Sequence, residues 1–427
     1  MRDLQDERGN TGGRDAMRAQ HLDHLGRTED ALSAYREALA SDPNNARLLR
    51  QLADCQFRSG KEVGLALRTI DQAIELEPND PINHVIRSLI LADQHQPKLA
   101  KKAAEEAITL EPEEPAGYSA LANAHMRARA WQAAEIAAKQ ALALDPDEEM
   151  AANLLAHALF CQGKQVENQV HIEGLLQQDP EDPYTHYAAG LAALQGEDYP
   201  KAEQHFLEAL RLNPSFDPAR EGLLNVFRAR SIVYRSYLRY AFFMTRLSPG
   251  QRVGFMVGLL IGVQVFMRSL KDVSPPMSLA IGALYILFVV WTYVATSVGS
   301  LIVLGDRRAR HTLKPIEKLD AILVGGGVVL GVGLVIVGLI GSIGWATSIG
   351  AGLVSMAVPL VLFFTDEHPK GKKLYGILAG LGVLALLGMI LGAVFPATGI
   401  FGISVMASLS ALILATWLKV FGVWHRG

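Results

Sequence analysis

An acidic or amide residue followed by proline recurs through the first half of this 427-residue chain, at Asp42-Pro43, Glu77-Pro78, Glu111-Pro112, Asp145-Pro146, Asp179-Pro180 and Asn213-Pro214. Successive prolines stand 35, 34, 34, 34 and 34 residues apart. A period this regular requires one supersecondary unit repeated along the chain. Units that short bury their apolar faces only by stacking on one another. Proline is tolerated in the first turn of a helix and breaks a helix interior, so each one marks a boundary between elements.

Small residues keep the same period. Ala38, Ala73, Ala107, Ala141 and Ala209 precede their prolines by five residues, and Ala31, Ala66, Ala100, Ala134 and Ala202 by twelve. Ala19, Ala53, Ala122, Ala156 and Gly190 recur further upstream, with Tyr35, Ile70 and Phe206 filling between. Gly26, Gly60 and Gly163 fall where a turn inside the unit is expected. Two units depart from the pattern, the third with Ser88 and the fifth with Asn168 and Leu175 at positions otherwise small. Period, small positions and terminal proline together resemble the tetratricopeptide repeat over residues 12–216, with about six units and Gly196–Pro214 the strongest match.

The resemblance implies two antiparallel helices per unit, stacked into an α-solenoid whose first helices line a concave face. Projected onto this chain, that face carries Arg50, Asp54, Ser119, Asn123, Asn153, His157 and Tyr187. A groove of this kind implies a protein or peptide partner. Some members of the family clamp a C-terminal carboxylate with paired Lys/Arg and Asn. Asn123 and Asn153 match that clamp here and the lysines do not. Residues 1–216 hold 21 Lys+Arg against 35 Asp+Glu, a net charge of −14. That balance offers no basic stripe for phosphates and argues against nucleic acid. Met1–Thr11 is polar, lacks a secretory run and reads as a disordered tail.

Residues 217–427 reverse the balance, with 19 Lys+Arg against 8 Asp+Glu. From 217 to 252 arginines alternate with aromatic and aliphatic residues. One long helix is expected there, capping the solenoid early and then lying at a membrane surface, with Arg228, Arg230, Arg235, Arg239 and Arg246 on lipid headgroups. Beyond it, residues 253–427 read as a polytopic transmembrane helix bundle. Residues 321–364 and 375–418 are uncharged. A crossing takes about 20 residues, so each run predicts two spans, with turns near Gly341–Ser348 and Pro396–Gly399. Met277–Leu304 and Val253–Met267 supply two more, giving six spans, with five as the alternative.

Basic residues flank these spans unevenly. Those of the connector, of 307–318, of 370–373 and of the tail lie on one side, with Arg268 and Lys271 on the other. The bias places the N-terminus and the repeats in the cytoplasm at an inner membrane. Gly254, Gly258 and Gly262 form a small-residue stripe suited to close helix packing, within the bundle or in a homo-oligomer through the first span.

Nothing in the spans suggests catalysis. A six-span bundle prompts comparison with rhomboid proteases, which need GxSG and an intramembrane His. Here Gly402-Ile403-Ser404 continues with Val405, and His311, His368 and His425 lie outside the spans. No metal or cofactor motif is present, and Cys55 and Cys161 sit apart in apolar stretches. The whole chain is similar to bacterial tetratricopeptide proteins with a C-terminal multi-span anchor. The resemblance implies an all-α, membrane-anchored, non-enzymatic scaffold, with a regulatory or structural subunit of a transporter, channel or secretion complex as the alternative.

Overall fold

The computed structural model describes residues 14–271, 273–307, 309–366, 368–394 and 400–421. The expected tail at 1–11 and the expected turn near Pro396–Gly399 lie outside them. Among the described residues every regular element is helical. The chain divides into two compact units between Ala192 and Ala193.

The first unit stacks helix pairs. α1 (residues 14–24) pairs with α2 (Thr28–Ser41), α3 (Ala46–Arg58) with α4 (Val63–Leu76), and α5 (Pro81–Asp93) with α6 (Pro97–Leu110). α7 (Pro115–Arg127) with α8 (Trp131–Leu144) and α9 (Glu149–Gln162) with α10 (Gln165–Gln178) follow. α11 (Pro183–Gln195) begins the sixth pair.

The periodic alanines explain why the helices approach so closely. Ala31, Ala38, Ala66, Ala73, Ala100, Ala107, Ala134 and Ala141 are all fully buried where each second helix meets its neighbours. Ser88 is buried as well, and its hydroxyl donates to the Ala100 carbonyl at 2.8 Å, which satisfies the polar substitution in the third unit.

The periodic prolines lie in the turns between units rather than in a helical first turn, and act through the residue before them. Asp42, Glu77, Glu111, Asp145 and Asp179 all have φ near −135° and ψ between 78° and 106°. A following proline disfavours the α region, so each second helix stops there. The first helical turns hold other prolines, Pro81, Pro115 and Pro183 among them.

One regularity hides behind unlike residues. Gly26, Gly60 and Gly163 have φ near +70°, and His95, Arg129 and Glu197 occupy the equivalent turns with φ of 60°, 57° and 62°. Six units thus use one left-handed turn, three of them without glycine.

In the second unit α12 (Tyr199–Leu212) and α13 (Asp217–Arg228) pack together. α14 (Ile232–Arg246) follows. The connector is therefore two helices, not the single long one expected. The Arg235 guanidinium donates to the Ala229 carbonyl at 2.7 Å and so stops the end of α13, while the Ser231 N–H turns back to the Arg228 carbonyl.

α15 (Pro249–Lys271) and α16 (Pro275–Gly305) come next. α17 (Pro315–Asp320) runs through a π-helical turn, Ala321–Gly325, into α18 (Gly326–Ile340). α19 (Gly344–Thr365), α20 (Pro369–Val394) and α21 (Ile400–Phe421) complete the unit. The turn after Ile340 falls where the sequence predicts it.

Among the described residues five helices are long and apolar enough to cross a membrane: α15, α16, α17–α18, α19 and α20. The apolar stretch of α21, Gly402–Thr416, is shorter. α16, α18, α19, α20 and α21 share a core around Val294, Val324, Val358 and Tyr375. α18 and α19 cross through glycine: a Cβ on Gly331 would meet the Gly350 carbonyl at 2.8 Å. α15 packs on α16 alone among the well-packed pairs, and no residue of its apolar window is fully buried.

Candidate functional site

Two clefts open on the solenoid units. One has a volume of about 380 Å³ and is lined from α1, α3 and α5, with Asp23, Arg47, Arg50, Gln51 and Asp54 among its walls. It brings together Arg50 and Asp54, two of the residues predicted for the concave face. Both are already engaged inside the protein. Arg50 pairs with Asp80, and Asp54 accepts from Arg58 Nε at 2.9 Å.

The second cleft, about 220 Å³, includes a third predicted residue, Asn153, among Asp147, Glu149, Asp179, Asp182 and Thr185. Its four carboxylates share the wall with Pro146, Ala152, Leu175 and Gln178, the last two from α10. Asp182 caps the start of α11, accepting from the Tyr184 and Thr185 N–H groups at 3.0 and 2.9 Å.

The remaining predicted groove residues divide. Asn123 is half-buried on α7. His157 reaches solvent and stands 6.4 Å from the Phe160 ring. Desolvation and then the Arg127 guanidinium hold its imidazole below the ordinary range. Tyr187 is half-buried, and burial, with Cys161 adding, pushes its hydroxyl up. Ser119 does not face the groove. It is fully buried, and its hydroxyl donates to Glu148 Oε1 at 3.0 Å, because the α7 position that the projection takes as exposed packs onto the next unit.

The two cysteines are buried, and burial pushes each thiol up to about 12, so both are protonated at neutral pH. Among the described residues no three His, Cys, Asp or Glu side chains come together as a metal site.

The connector arginines, expected on lipid headgroups, are largely committed within the second unit. Arg228 is 2 % exposed, and its guanidinium donates to Ser300 Oγ, to Glu221 at 2.6 Å and to Asn225 at 3.0 Å. Arg230 pairs with Asp306. Arg235 stacks over the Tyr199 ring, and Arg239 makes a two-pronged bond to Glu197 at 2.7 and 2.8 Å. Arg246 is exposed.

Sequence reasoning missed the partners of two further residues. Arg220 bridges to Glu317 at 3.0 Å and to the Thr312 carbonyl, and Lys314 reaches Asp217 at 2.9 Å. These bonds tie α13 to α17 and the turn before it. They join residues about 97 positions apart, and no local pattern announces them.

The small-residue stripe also lies otherwise than within the bundle. A Cβ on Gly254, Gly258 or Gly262 would meet nothing within 4 Å. α15 turns its opposite side, Met256, Val257, Leu259 and Leu260, towards α16 and α21.

Family models described as tetratricopeptide repeat match residues 24–83, 87–164 and 183–216. Among solved structures, a tetratricopeptide repeat protein from Parabacteroides merdae is 16% identical, with a TM-score of 0.45, covering 50% of this chain and 82% of its own. Pseudomonas aeruginosa PilF is 21% identical with a TM-score of 0.41, covering 53% of this chain and 100% of its own. A TPR protein of Thermus thermophilus is 22% identical with a TM-score of 0.40, covering 43% and 99%. A search of curated proteins finds no match. The chain carries tetratricopeptide repeats, a module that in general binds proteins or peptides rather than catalysing reactions, ahead of several helices apolar enough to span a membrane.

Proposed function

We propose that this protein is a membrane-anchored scaffold whose repeat domain binds an extended protein segment and holds it at a bacterial inner membrane. The observation that carries the reading is the pair of clefts, one lined mostly from first helices and the other where α9, α10 and α11 meet, with Asp147, Glu149, Asp179 and Asp182 in its wall. With a repeat domain of net charge −14, these walls favour a partner segment that brings Lys or Arg. Asn123, Asn153, His157 and Tyr187 are the groove contacts, with Arg50 and Asp54 lining the first cleft.

The repeats face the cytoplasm in this reading. It rests on the bias of basic residues, which gathers at one end of the second unit's helices. Membrane-impermeant thiol labelling of a cysteine placed at Arg310 or at Lys271 checks it in intact spheroplasts. Labelling at 271 and protection at 310 is expected, and the reverse overturns the orientation.

A photo-crosslinking residue placed at Asn123 or Asn153 in the full chain, in its own membrane, tests the groove. The same partner should be joined from both positions and not from exposed Val170 on α10. Crosslinks from Val170 alone would refute a concave-face scaffold.

A further inference from the structure

The sequence assigns contact with lipid headgroups to the connector arginines, and most of those are taken. Arg220 holds Glu317, Arg228 is buried on Ser300, Arg230 holds Asp306, Arg239 holds Glu197, and Arg252 donates to the Leu247 and Thr245 carbonyls. In taking them, the connector consumes the acids that neighbouring loops would otherwise use. Asp306 and Glu317 belong to the α16–α17 segment, and both are spent on α13 and the turn that follows it. Asp366, after α19, is 4 % exposed and accepts the His368 N–H at 2.8 Å, closing the turn into α20.

The cations of the same two loops are left over. Arg307, Arg310, Lys370, Lys372 and Lys373 are exposed and Lys318 is half-buried. Among the described residues none of the six is ion-paired, and Lys372 lies only over the Phe363 ring, 5.8 Å from its centroid.

Topology gathers them. α16 ends and α17 begins on one side of the bundle. α18 runs away from it and α19 returns, so the α19–α20 turn lies at that same end, and α17 touches α19 there. The α18–α19 turn at the far end carries no charge, and Arg268 and Lys271 stand at that far end on α15.

Exposed apolar side chains border the six cations. Ile316 and Leu319 flank Lys318, and Ile377 stands one turn beyond Lys373; they are 51%, 46% and 61% exposed. Cations gathered at one end of the bundle beside bare aliphatic surface match the boundary between headgroup and acyl chain. A soluble polyanion such as RNA would match the charges and leave the aliphatic border in water.

We infer that Arg307, Arg310, Lys318, Lys370, Lys372 and Lys373 form a binding surface for the phosphates of anionic phospholipids, at the end of the bundle where α13 docks. The inference rests on the reading that these helices cross a membrane. It moves the headgroup contact from the connector to the α16–α17 and α19–α20 loops, and it gives the connector arginines a different task, that of holding α13 to the bundle.

The test uses the full chain in mild detergent. Native mass spectrometry reads the retention of added phosphatidylglycerol against phosphatidylcholine, and thermal unfolding without lipid confirms that each variant is folded. The wild type should retain the anionic lipid preferentially, and less of it as salt rises. Each of the triple variants R307Q/R310Q/K318Q and K370Q/K372Q/K373Q should weaken retention on the order of a hundredfold, since a basic residue near an anionic surface contributes about a factor of five. R268Q/K271Q should stay within about twofold.

Equal retention of the two lipids, or folded triple variants that retain phosphatidylglycerol like the wild type, overturns the inference. So does displacement of the lipid by millimolar inorganic phosphate or by RNA, which would reassign the surface to a soluble anion. Alkaline carbonate extraction separates this from the reading beneath it. Release of the protein from membranes defeats the spanning reading, whereas a protein that stays embedded without lipid preference defeats only the headgroup surface.

Discussion

Both Nε and Nη2 of Arg228 donate to the hydroxyl of Ser300, at 3.1 and 2.9 Å, so one serine on α16 holds the last residue of α13. The guanidinium is buried, and its remaining donors go to Glu221 and Asn225, with Tyr234 Oη completing the cluster on Asn225 Oδ1 at 2.9 Å. Gly299 makes room for it, since a Cβ there would stand 3.0 Å from the Arg228 and Tyr234 side chains. A buried charge hydrogen-bonded through each of its three nitrogens is costly to remove, because its partners stay behind without it. Arg228→Met should lower stability by about 2–3 kcal/mol. Exposed Arg246→Met should stay within about 0.5 kcal/mol. Thermal unfolding of the two variants in detergent compares them, and equal midpoints would remove the claim that Arg228 anchors α13.

How much of this was legible beforehand depended on range. The solenoid was written in local terms: small residues at Ala31 and Ala38 and their equivalents, and a proline that ends each second helix through the residue before it. Period, small positions and proline together carry the resemblance that implies the helix pairs. The turn between α18 and α19 was equally local. Arg228, Arg220 and Lys314 were not readable, because an arginine that will pair with a serine or glutamate far along the chain looks like one that will face lipid. Ser119 failed for a related reason. A helical projection assigns a face to every position, and a serine small enough to be covered by the next unit gives no sign that it will be.

Arg129 occupies the turn that glycine fills at positions 26, 60 and 163, with φ of 57°. A long side chain in the left-handed region costs on the order of 1 kcal/mol that glycine avoids. Arg129→Gly should raise the stability of the repeat domain by about 0.5–1 kcal/mol, read from its denaturant midpoint. Glu197 shares the conformation and also holds Arg239, so Glu197→Gly should gain less or lose. A loss at Arg129 of the same size as at Glu197 would mean that strain is not what separates them.

Glu135 ties α8 to the following unit, and its acid response should be visible. Burial alone would raise its carboxyl, but hydrogen bonds from Lys139 at 2.6 Å, Lys164 at 2.8 Å and Gln162 at 2.7 Å more than offset this and hold it at about 2. A folded value below the unfolded 4.5 means that the contribution is complete above pH 4.5 and is lost as pH falls towards 2. The side chain is only 7% exposed, so the contribution is on the order of 3 kcal/mol. Glu135→Gln should therefore be less stable at pH 7 and should lose less stability than the wild type between pH 5 and pH 2. Circular dichroism of denaturant unfolding at several pH values measures both, and parallel acid limbs would show that Glu135 contributes nothing there.

Glycines of the second unit should divide by what lies over them. A Cβ on Gly222 would stand 2.4 Å from the ring of Phe206, itself fully buried between α12 and α13. Gly222→Ala therefore forces a core ring out of place and should cost about 1–3 kcal/mol. Gly258 on α15 has nothing within 4 Å, so Gly258→Leu should leave the monomer within about 0.5 kcal/mol of wild type. The same leucine would block a second copy of α15 from packing on that stripe, where small residues let helices in lipid approach closely. Cross-linking through a cysteine beside the stripe, in native membranes, should then detect dimers in the wild type and fewer in Gly258→Leu. A destabilised Gly258→Leu monomer would show that the glycine face is covered within the chain after all. Unchanged cross-linking with an intact monomer would leave the first span facing lipid rather than a second copy.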